Sequence, residues 1–554
     1  MAKEQPSKQK LRGGYYTPQP ITDFLCRWCI DENSQHILEP SSGDGNFLSA
    51  AVRRLHEVGV NSEEISDRLQ GVELLSEEAV KASERLRDMG VNPQSVINTG
   101  DFFHFIANDS NQRYDAVIGN PPFIRYQNFP QEHRDIAIEM MKDLGLRPNK
   151  LTNIWVPFLV LSAHLLNDDG KMAMVIPAEL FQVKYAAETR IFLSKIFERL
   201  TIISFKRLVF DNIQQEVILL LGERNVENQK GIRAIELDGL EDLENLNLQQ
   251  LHQTPVKSID HASEKWTKYF LQENEIQLLK ELRQDPRVIT CGDIMEVDVG
   301  LVTGRNAFFM LQKDQVETWQ LSENINPVVS RSNQLKGTRF SEEDFKEISE
   351  TQQSVHLFIP PNEAFEKLSP AAQNYIQYGE KNDFHTGYKT RIRKRWYVTP
   401  SLWIPDGFAL RQIHDYPKLI LNETVASATD TIHRIRFKKN INGQLVSALF
   451  LNSLSFAFSE ITGRSYGGGV MTFEPTEIEE IAIPKIVNLN LDYEEIDQLI
   501  RNRRIEDVLD IVDKAFLIGY HGFSKDEVDR LRDIWRKLSQ RRIQRKRRKP
   551  KVNS

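Results

Sequence analysis

The stretch YDAVIGNPPF, residues 114–123, decides the fold. Its first six residues form a short apolar run that ends in turn residues, which predicts a buried strand of a parallel sheet. Open α/β sheets bind ligands just beyond the carboxyl ends of their strands, and Asn120-Pro121-Pro122-Phe123 follows at that point. Two consecutive prolines fix the backbone φ angle twice and remove two N–H donors. We therefore expect a rigid loop whose carbonyl groups point in set directions.

Similar apolar runs recur up to about residue 224 and alternate with amphipathic segments. The other strand candidates are HILEP (36–40), LQGVELL (69–75), SVINTGDFF (95–103), KMAMVIPAEL (171–180), LTIISFK (200–206) and EVILLLGER (216–224). This alternation predicts a doubly wound, largely parallel α/β sheet. The last two candidates are separated only by RLVFDNIQQ, which is too short for a helical crossover, so we expect them to form an antiparallel hairpin at the sheet edge.

The rest of the chain is organised differently. We place the end of the sheet domain (1–250) where the alternation is lost, and a connector follows at 251–285. Short strands and turns with many aromatic residues predict a mixed α+β domain at 286–485. A helical and basic appendage is expected at 486–554.

From the composition we expect neither membrane insertion nor secretion. The chain has 40% hydrophobic and 27% charged residues, and it contains no run of about 18 uncharged apolar residues and no signal peptide. We therefore expect a cytoplasmic protein. Cys26 and Cys29 form a CxxC pair, but no second pair completes a zinc site, so we interpret them as packing residues and expect no metal.

Basic residues are concentrated in the second half of the chain, although the net charge is −7. One cluster is GYKTRIRKRWY (387–397), in which aromatic residues are interleaved, and the other is RRIQRKRRKPK (541–551). Such clusters can neutralise the phosphates of a nucleic acid, although each one alone also fits a solvated surface. The candidate phosphate contacts are Lys389, Arg391, Arg393, Lys394 and Arg395.

The loop at Asn120 suits methylation of an amino group on an aromatic ring. Such a group is a poor nucleophile because its lone pair is delocalised into the ring. The side-chain carbonyl of Asn120 and the backbone carbonyl of Pro121 can accept both amino hydrogens and draw the nitrogen toward a tetrahedral geometry. The lone pair then becomes available to attack the methyl group of a sulfonium.

A matching cofactor site is predicted at the ends of the first three strands. Gly43 and Gly45 in EPSSGDG allow a tight turn and close approach of the backbone to a ligand. Glu73 closes the second strand, where a carboxylate can accept from both ribose hydroxyls. Asp101 closes the third strand and can accept from an adenine amino group, with Phe102 beside it. No spaced G-x-G-x-x-G follows, which disfavours a dinucleotide cofactor.

Taken in order, GYYTP, EPSSGDGNFL, GVELL, TGDFF, GNPPF and KMAMVIPAEL resemble the motif series of the TaqI-type, or gamma-class, adenine-N6 DNA methyltransferases of restriction-modification systems. The resemblance is strong over residues 13–224. It continues more weakly through VGLVTGRNAFF and LNSLSFAFSEITGRSYGGGVMTF, which resemble the family's target-recognition domain, and through final helices that resemble its larger, Eco57I-related members. The resemblance implies a class I methyltransferase fold, S-adenosylmethionine as cofactor and double-stranded DNA as substrate.

The resemblance also implies roles for individual residues. The implied cofactor contacts are Tyr16, Thr17, Glu39, Gly43, Gly45, Glu73, Asp101, Phe102 and Asn120. The implied catalytic loop is Asn120, Pro121, Pro122 and Phe123, and Phe123 and Phe210 would stack on the two faces of a flipped-out adenine. Two positions depart from the usual pattern: Ser41-Ser42 replace Ala-Cys, and Phe123 replaces the commoner Tyr, which removes a hydroxyl but keeps the stacking face.

Several substrates remain open at this point. The NPPF loop also occurs in protein-glutamine and RNA-guanine amino methyltransferases. Cytosine N4 is a further possible substrate, and a non-catalytic DNA-binding protein is another alternative. About 300 residues follow the sheet, and they favour DNA because a flipped base must be held open by contacts elsewhere. Asn rather than Ser before the prolines favours adenine. Pro405-Asp406 has no downstream partner for a nuclease motif, which disfavours a fused restriction enzyme. We expect the protein to act beside a separate cognate endonuclease, and we expect a monomer.

Overall fold

The computed structural model describes residues 16–544, apart from 109–110, 126–127, 150–151, 208, 211–215, 260–264, 352, 401 and 467. The start of the first motif and most of the basic cluster at 541–551 lie outside the described residues. Two compact units are formed. Of the described residues, the first comprises the chain up to Glu273 together with Tyr466, Gly468 and Gln544, and the second comprises Asn274–Ser465 and Gly469–Ile543. Among the described residues no single helix is long and apolar enough to cross a membrane, and only the helices Gly443–Leu449 and Ser453–Thr462, bent by 82°, pass that test as a pair.

The first unit is built on an eight-stranded sheet. Its strands are β1 (Ile37–Glu39), β2 (Leu69–Glu73), β3 (Ile97–Thr99), β4 (Tyr114–Gly119), β5 (Leu166–Pro177), β6 (Arg199–Phe205), β7 (Val217–Glu223) and β8 (Gly231–Leu237). Their spatial order is β3-β2-β1-β4-β5-β7-β6-β8. Strands β1 to β5 pair in parallel, whereas β7 is antiparallel to both β5 and β6. The predicted doubly wound sheet and its antiparallel hairpin are therefore confirmed.

The hairpin does not form the edge of the sheet, which corrects the sequence-based expectation. Strand β8 pairs in parallel with β6 along its whole length and occupies the edge position. Its sequence GIRAIEL interleaves Arg233 and Glu236 with apolar residues, and only its first three residues are buried. The segment therefore lacks the continuous apolar run by which the other strands were identified.

Most helices of the first unit connect these strands, whereas the first precedes β1 and the last two follow β8. They are α1 (Gln19–Cys29), α2 (Asn46–Glu57), α3 (Ser62–Arg68), α4 (Ser76–Asp88), α5 (Pro93–Val96), α6 (Phe102–Asn108), α7 (Gln131–Asp143), α8 (Trp155–His164), α9 (Ala187–Ile196), α10 (Leu240–Asn245) and α11 (Leu248–Gln253). Cys26 and Cys29 of α1 are free and buried, with their thiols against backbone carbonyls. Both side chains belong to the hydrophobic core of the unit, which confirms the predicted packing role of this pair, and burial raises the pKa of Cys29 to about 12.

The second unit contains smaller sheets. Its strands are β9 (Val288–Thr290), β10 (Met295–Val299), β11 (Met310–Leu311), β12 (Ile325–Val329), β13 (Arg339–Phe340), β14 (His356–Phe358), β15 (Gly407–Leu410), β16 (Gln412–Ile413), β17 (Leu419–Asn422), β18 (Ser427–Ala428), β19 (Ile432–Phe437), β20 (Arg464–Tyr466), β21 (Val470–Thr472) and β22 (Ala482–Pro484). The largest sheet has the order β10-β19-β15-β17-β13. This mixture of short strands agrees with the predicted α+β character.

The helices of the second unit include the predicted carboxyl-terminal appendage. They are α12 (Glu273–Gln284), α13 (Cys291–Ile294), α14 (Asn306–Phe309), α15 (Lys313–Thr318), α16 (Glu342–Glu350), α17 (Pro370–Lys381), α18 (Tyr388–Arg391), α19 (Gly443–Leu449), α20 (Ser453–Thr462), α21 (Pro475–Glu479), α22 (Tyr493–Arg501), α23 (Ile505–Val512) and α24 (Lys525–Ile543). Helix α24 packs on α20, where Arg542 Nη2 and Glu460 Oε1 form a buried ion pair at 2.8 Å. The final helices therefore belong to the same compact unit as the sheets.

Candidate active site

The loop predicted to be catalytic follows β4. Asn120 lies directly after the strand, and its Nδ2 donates a hydrogen bond to Thr17 Oγ1 at 3.1 Å. Thr17 is buried just before α1. An amide whose nitrogen is bound on one side directs its oxygen to the other side. The hydrogen bond from Asn120 to Thr17 therefore orients the acceptor that amino-group chemistry requires.

The turn between β1 and α2 forms the second part of the site. Gly43 and Gly45 adopt left-handed backbone conformations, with φ of +53° and +86°. A Cβ at position 45 would lie 2.9 Å from Cα of Ala82, whereas one at position 43 would meet nothing within 4 Å. Glu73, at the end of β2, accepts hydrogen bonds from the N–H groups of Gly43 and Leu75, both at 2.8 Å. These hydrogen bonds join the end of β2 to the turn after β1, and we call the two segments together the rim of the site.

Three carboxylates crowd this rim. Burial raises the pKa of Glu39 well above its ordinary value, and the charges of Glu73 and Asp44 raise it further. Burial also raises the pKa of Glu73, although the N–H groups of Leu75 and Gly43 partly offset this. Among the described residues, Glu39 Oε2 is buried with no hydrogen-bond partner. A positively charged ligand would stabilise this group of carboxylates.

Asp101 follows β3 and caps α6. Its Oδ1 accepts from the backbone N–H groups of Phe103 and His104 at 3.1 and 3.0 Å. The Nδ1 atoms of His104 and His133 lie 3.0 and 3.5 Å from the same oxygen. Asp101, His104 and His133 place their ligand atoms within 4.8 Å of one another, which is close enough for one metal ion. The carboxylate is held in one position by these contacts.

A cavity of about 540 Å³ connects the three strand ends. The predicted cofactor contacts that line it are Tyr16, Thr17, Glu39, Gly43, Glu73, Asp101, Phe102 and Asn120. Gly45 does not line the cavity because it lies behind the turn, against Ala82. The volume is in the range of small-molecule sites, and the residues present fit a nucleoside that carries a positive charge.

Sequence reasoning missed several residues that line this cavity. Phe158 of α8 stacks on Phe102, with ring centroids 5.1 Å apart and an interplanar angle of 15°. Phe129 and Pro130 contribute from the segment between β4 and α7. No local signal marks Phe158, because α8 is apolar throughout. Asn46, in contrast, lies in the motif EPSSGDGN and could have been selected from it.

The two aromatic residues expected to stack on the target base belong to the interior of the first unit. Phe210 is 7% exposed and belongs to the hydrophobic cluster that includes residues of α1 and of the sheet. Phe123 is partly buried and packs against the same cluster. Phe123 and Phe210 do not line the cavity described above, and residues 211–215 lie outside the described part of the chain. Their stacking role stays a prediction.

The basic residues of segment 387–397 divide into two groups. Three of them are exposed and make no ion pair with other described residues: Lys389, Arg391 and Lys394. Arg395 donates to Asn362 Oδ1 at 2.8 Å. Arg393 Nη2 donates to the backbone carbonyls of residues 302 and 303 at 3.0 and 2.8 Å, and its guanidinium lies 5.5 Å from the ring centre of Phe309. Arg393 therefore links this segment to the loop at 302–303, and its role as a phosphate contact stays a prediction.

Comparisons with known proteins identify the family of the chain. Residues 1–315 match the family model described as N-6 DNA Methylase, and residues 263–517 match the model described as Type II methyltransferase M.Eco57I, C-terminal domain. The chain is 23% identical to the Type II methyltransferase M.AccI of Acinetobacter calcoaceticus, over 91% of this chain and 93% of that protein. It is 21% identical to the Type II methyltransferase M.XamI of Xanthomonas campestris pv. amaranthicola, over 86% of each.

A solved structure shares the fold. The type IIL restriction-modification enzyme MmeI, determined in complex with DNA, superposes with a TM-score of 0.58 and 11% identity, over 94% of this chain and 75% of that one. This likeness and the strand order identify the first unit as a class I methyltransferase fold, which implies S-adenosylmethionine as the methyl donor. Since a family model covers more than half of the sequence, the chain belongs to the N-6 DNA methylase family and is a DNA methyltransferase that acts on the N6 amino group of adenine.

Proposed function

We propose that the protein flips an adenine out of duplex DNA and methylates it as the modification component of a type II restriction-modification system. One observation carries the proposal. Asn120 lies at the end of β4, is bound through its amide nitrogen to Thr17, and lines the same cavity as the carboxylates Glu39, Glu73 and Asp101. The acceptor for the target amino group and the groups that would hold the cofactor thus meet in one place.

The cofactor would be held by the ends of β1, β2 and β3. Glu73 accepts from the ribose hydroxyls, and Asp101 accepts from the adenine amino group next to Phe102. Tyr16 and Thr17 border the methionine part, while Gly43 and Gly45 give the turn its shape beside Glu39. When bound, S-adenosylmethionine supplies an electrophilic methyl group on a sulfonium centre. The proposed contacts are Tyr16, Thr17, Glu39, Gly43, Glu73, Asp101, Phe102 and Asn120, and Gly45 acts through the shape of the turn.

The catalytic step is assigned to the loop after β4. Asn120 Oδ1 and the carbonyl oxygen of Pro121 accept the two amino hydrogens of the adenine, so that the nitrogen lone pair leaves the ring system. Pro122 keeps the loop rigid, because its ring fixes φ. Phe123 and Phe210 stack on the two faces of the base once it has left the duplex. The two carbonyl acceptors and the two aromatic rings act in this proposal without a metal ion.

The second half of the chain is assigned to DNA. Residues 286–485 would form the target-recognition domain, with 251–285 as connector and 486–554 as a helical support, and Lys389, Arg391, Lys394 and Arg395 would contact phosphates. The enzyme would act as a monomer in the cytoplasm of a prokaryotic cell, where its DNA lies, beside a separate cognate endonuclease. The relatives M.AccI and M.XamI carry Type II methyltransferase in their names, which supports this assignment.

A methylation assay tests the proposed function. Plasmid DNA is incubated with the protein and radiolabelled S-adenosylmethionine, and the modified nucleosides are separated. We expect label in N6-methyladenine for the wild type and a loss of about a hundredfold or more in rate for Asn120→Ala, because one of two transition-state acceptors is removed. Label in cytosine, or a normal rate for Asn120→Ala, would contradict the proposal. Exchange of residues 286–485 with those of a relative should change the methylated sequence.

A further inference from the structure

One surface of the second unit combines exposed cations with exposed apolar side chains. We call it the basic-apolar face and define it as the loop 302–305 together with segment 387–394. The two segments are in direct contact, since a Cβ added to Gly304 would lie 2.7 Å from Cβ of Lys389, and one added to Gly387 would lie 2.7 Å from Nε of Arg305. They therefore form one continuous surface.

The exposed cations of this face form no ion pairs within the described part of the chain. Its exposed basic residues are Arg305, Lys389, Arg391 and Lys394. None of the four forms an ion pair with any residue in the part of the chain that the structure describes. Many other surface arginines of the same unit are paired, for example Arg504 with Asp507 at 2.8 Å. Four unpaired cations on one small surface favour a polyanionic partner.

Large apolar side chains lie among these cations. Tyr388 is 68% exposed, Ile392 is 62% exposed and Val302 is 43% exposed. Tyr388 and Ile392 are four positions apart, with Ile392 still helical at the end of α18, so they share one side of the turn. Proteins that hold DNA in a deformed or opened state place apolar side chains against bases while cations bind the backbone on either side. This face has both components.

The loop of this face is fixed to the helix by Arg393. Its guanidinium donates to the carbonyls of Val302 and Thr303 and is packed over Phe309, so the loop and α18 keep a constant relation. Burial lowers the pKa of Arg393, in agreement with an interior position. A surface that is rigid before binding loses less conformational entropy on binding.

We propose that the basic-apolar face contacts DNA at the opened target site, with Tyr388 and Ile392 against bases and Arg305 joining Lys389, Arg391 and Lys394 on phosphates. Arg393 is a positioning residue that presents Val302 and Arg305. The proposal rests on the proposed function and goes beyond it in two respects. It assigns base contacts to apolar residues, and it adds Arg305, which lies outside the basic cluster in the sequence.

Binding of the full chain to a duplex that carries its methylation site, over a range of salt concentrations, tests the proposal. Tyr388→Ala combined with Ile392→Ala should weaken binding on the order of tenfold, because stacking and apolar contacts are lost, and leave the slope of log K against log salt unchanged. Arg305→Gln should reduce that slope by about one, because one phosphate contact is lost, whereas Arg305→Lys should keep it. Tyr520→Ala, which removes a comparably exposed tyrosine (55%) elsewhere in the same unit, should leave both quantities unchanged.

A fluorescent adenine analogue at the target position provides a second measurement. The Tyr388→Ala, Ile392→Ala variant should show reduced base flipping, while its cofactor affinity and thermal unfolding remain those of the wild type. Wild-type DNA affinity and flipping in this variant, or an unchanged slope for Arg305→Gln, would overturn the proposal and leave the proposed function standing. A wild-type protein that does not bind or methylate the duplex would instead refute the proposed function. A concentration-dependent dimer that the Tyr388→Ala change abolishes would assign the face to a second copy of the chain.

Discussion

Replacement of Thr17 by Val tests how the orientation of Asn120 contributes to the rate. The change is nearly isosteric and removes the acceptor that Asn120 Nδ2 contacts at 3.1 Å, at a buried position. A neutral hydrogen bond of this kind contributes about 0.5–1.5 kcal/mol, so we expect the methyl-transfer rate to fall roughly 2- to 12-fold. Asn120→Ala removes the proposed acceptor itself and should cost about a hundredfold or more. Thr17→Ser keeps the hydroxyl and should retain most of the wild-type rate.

Single-turnover kinetics at saturating cofactor, together with calorimetric titration of the cofactor, separate the two roles that Thr17 could have. If Thr17 orients Asn120, Thr17→Val lowers the single-turnover rate while the dissociation constant of the cofactor changes little. Base flipping, followed with a fluorescent adenine analogue, should stay normal. A raised cofactor dissociation constant with an unchanged single-turnover rate would refute this reasoning and assign the hydroxyl to the cofactor. A loss as large as that of Asn120→Ala would also refute it.

Three further predictions follow from the cavity and from the carboxyl-terminal helix. Gly45→Ala should lower the free energy of unfolding by about 1–3 kcal/mol more than Gly43→Ala. An alanine strains the backbone at either position because φ is positive, but only the methyl group at position 45 collides with a neighbour. Thermal unfolding of the two variants measures the difference. Arg542→Met leaves the Glu460 carboxylate buried without a cation and should cost about 3–5 kcal/mol in urea denaturation, with partial recovery in the Arg542→Met, Glu460→Gln double variant. Because the pKa of Glu39 is raised, this carboxylate is neutralised first when the pH falls. The affinity for S-adenosylmethionine, whose sulfur is positively charged, should then drop more than the affinity for S-adenosylhomocysteine, whose sulfur is uncharged. Calorimetric titrations at two pH values that show an equal loss for both ligands would contradict this.

The sheet of the first unit was predictable because its signals are local. A buried parallel strand needs a continuous apolar run, and a nine-residue connection permits only an antiparallel return, so seven strands and the hairpin follow from the sequence. Strand β8 was missed because Arg233 and Glu236 interrupt its apolar pattern, although Arg233 is fully buried in the folded unit. Its place at the edge depends on pairing with β6, which no local pattern records.

The polar residues at the strand ends could be chosen from the sequence alone. Glu39 and Glu73 end a strand, whereas Asp101 and Asn120 come after one. The carboxyl ends of parallel strands meet at one edge of a sheet, so the proximity of these four residues follows from the fold class. Only the tertiary structure decided what each side chain does with its hydrogen bonds. The link from Asn120 to Thr17 joins residues 103 positions apart.

For the basic segment 387–397, too, the sequence gives part of the answer and the packing of the folded chain gives the rest. Its charges can be counted in the sequence, but Arg391 and Arg393 are indistinguishable there. Whether a guanidinium is exposed or bound to carbonyls depends on which loop packs beside it, and the loop at 302–305 comes from about ninety residues earlier in the chain. Composition and motif order therefore sufficed for the fold class and for methylation of an amino group, whereas the assignment of individual cations required the folded chain because desolvation and hydrogen bonding are set by distant neighbours.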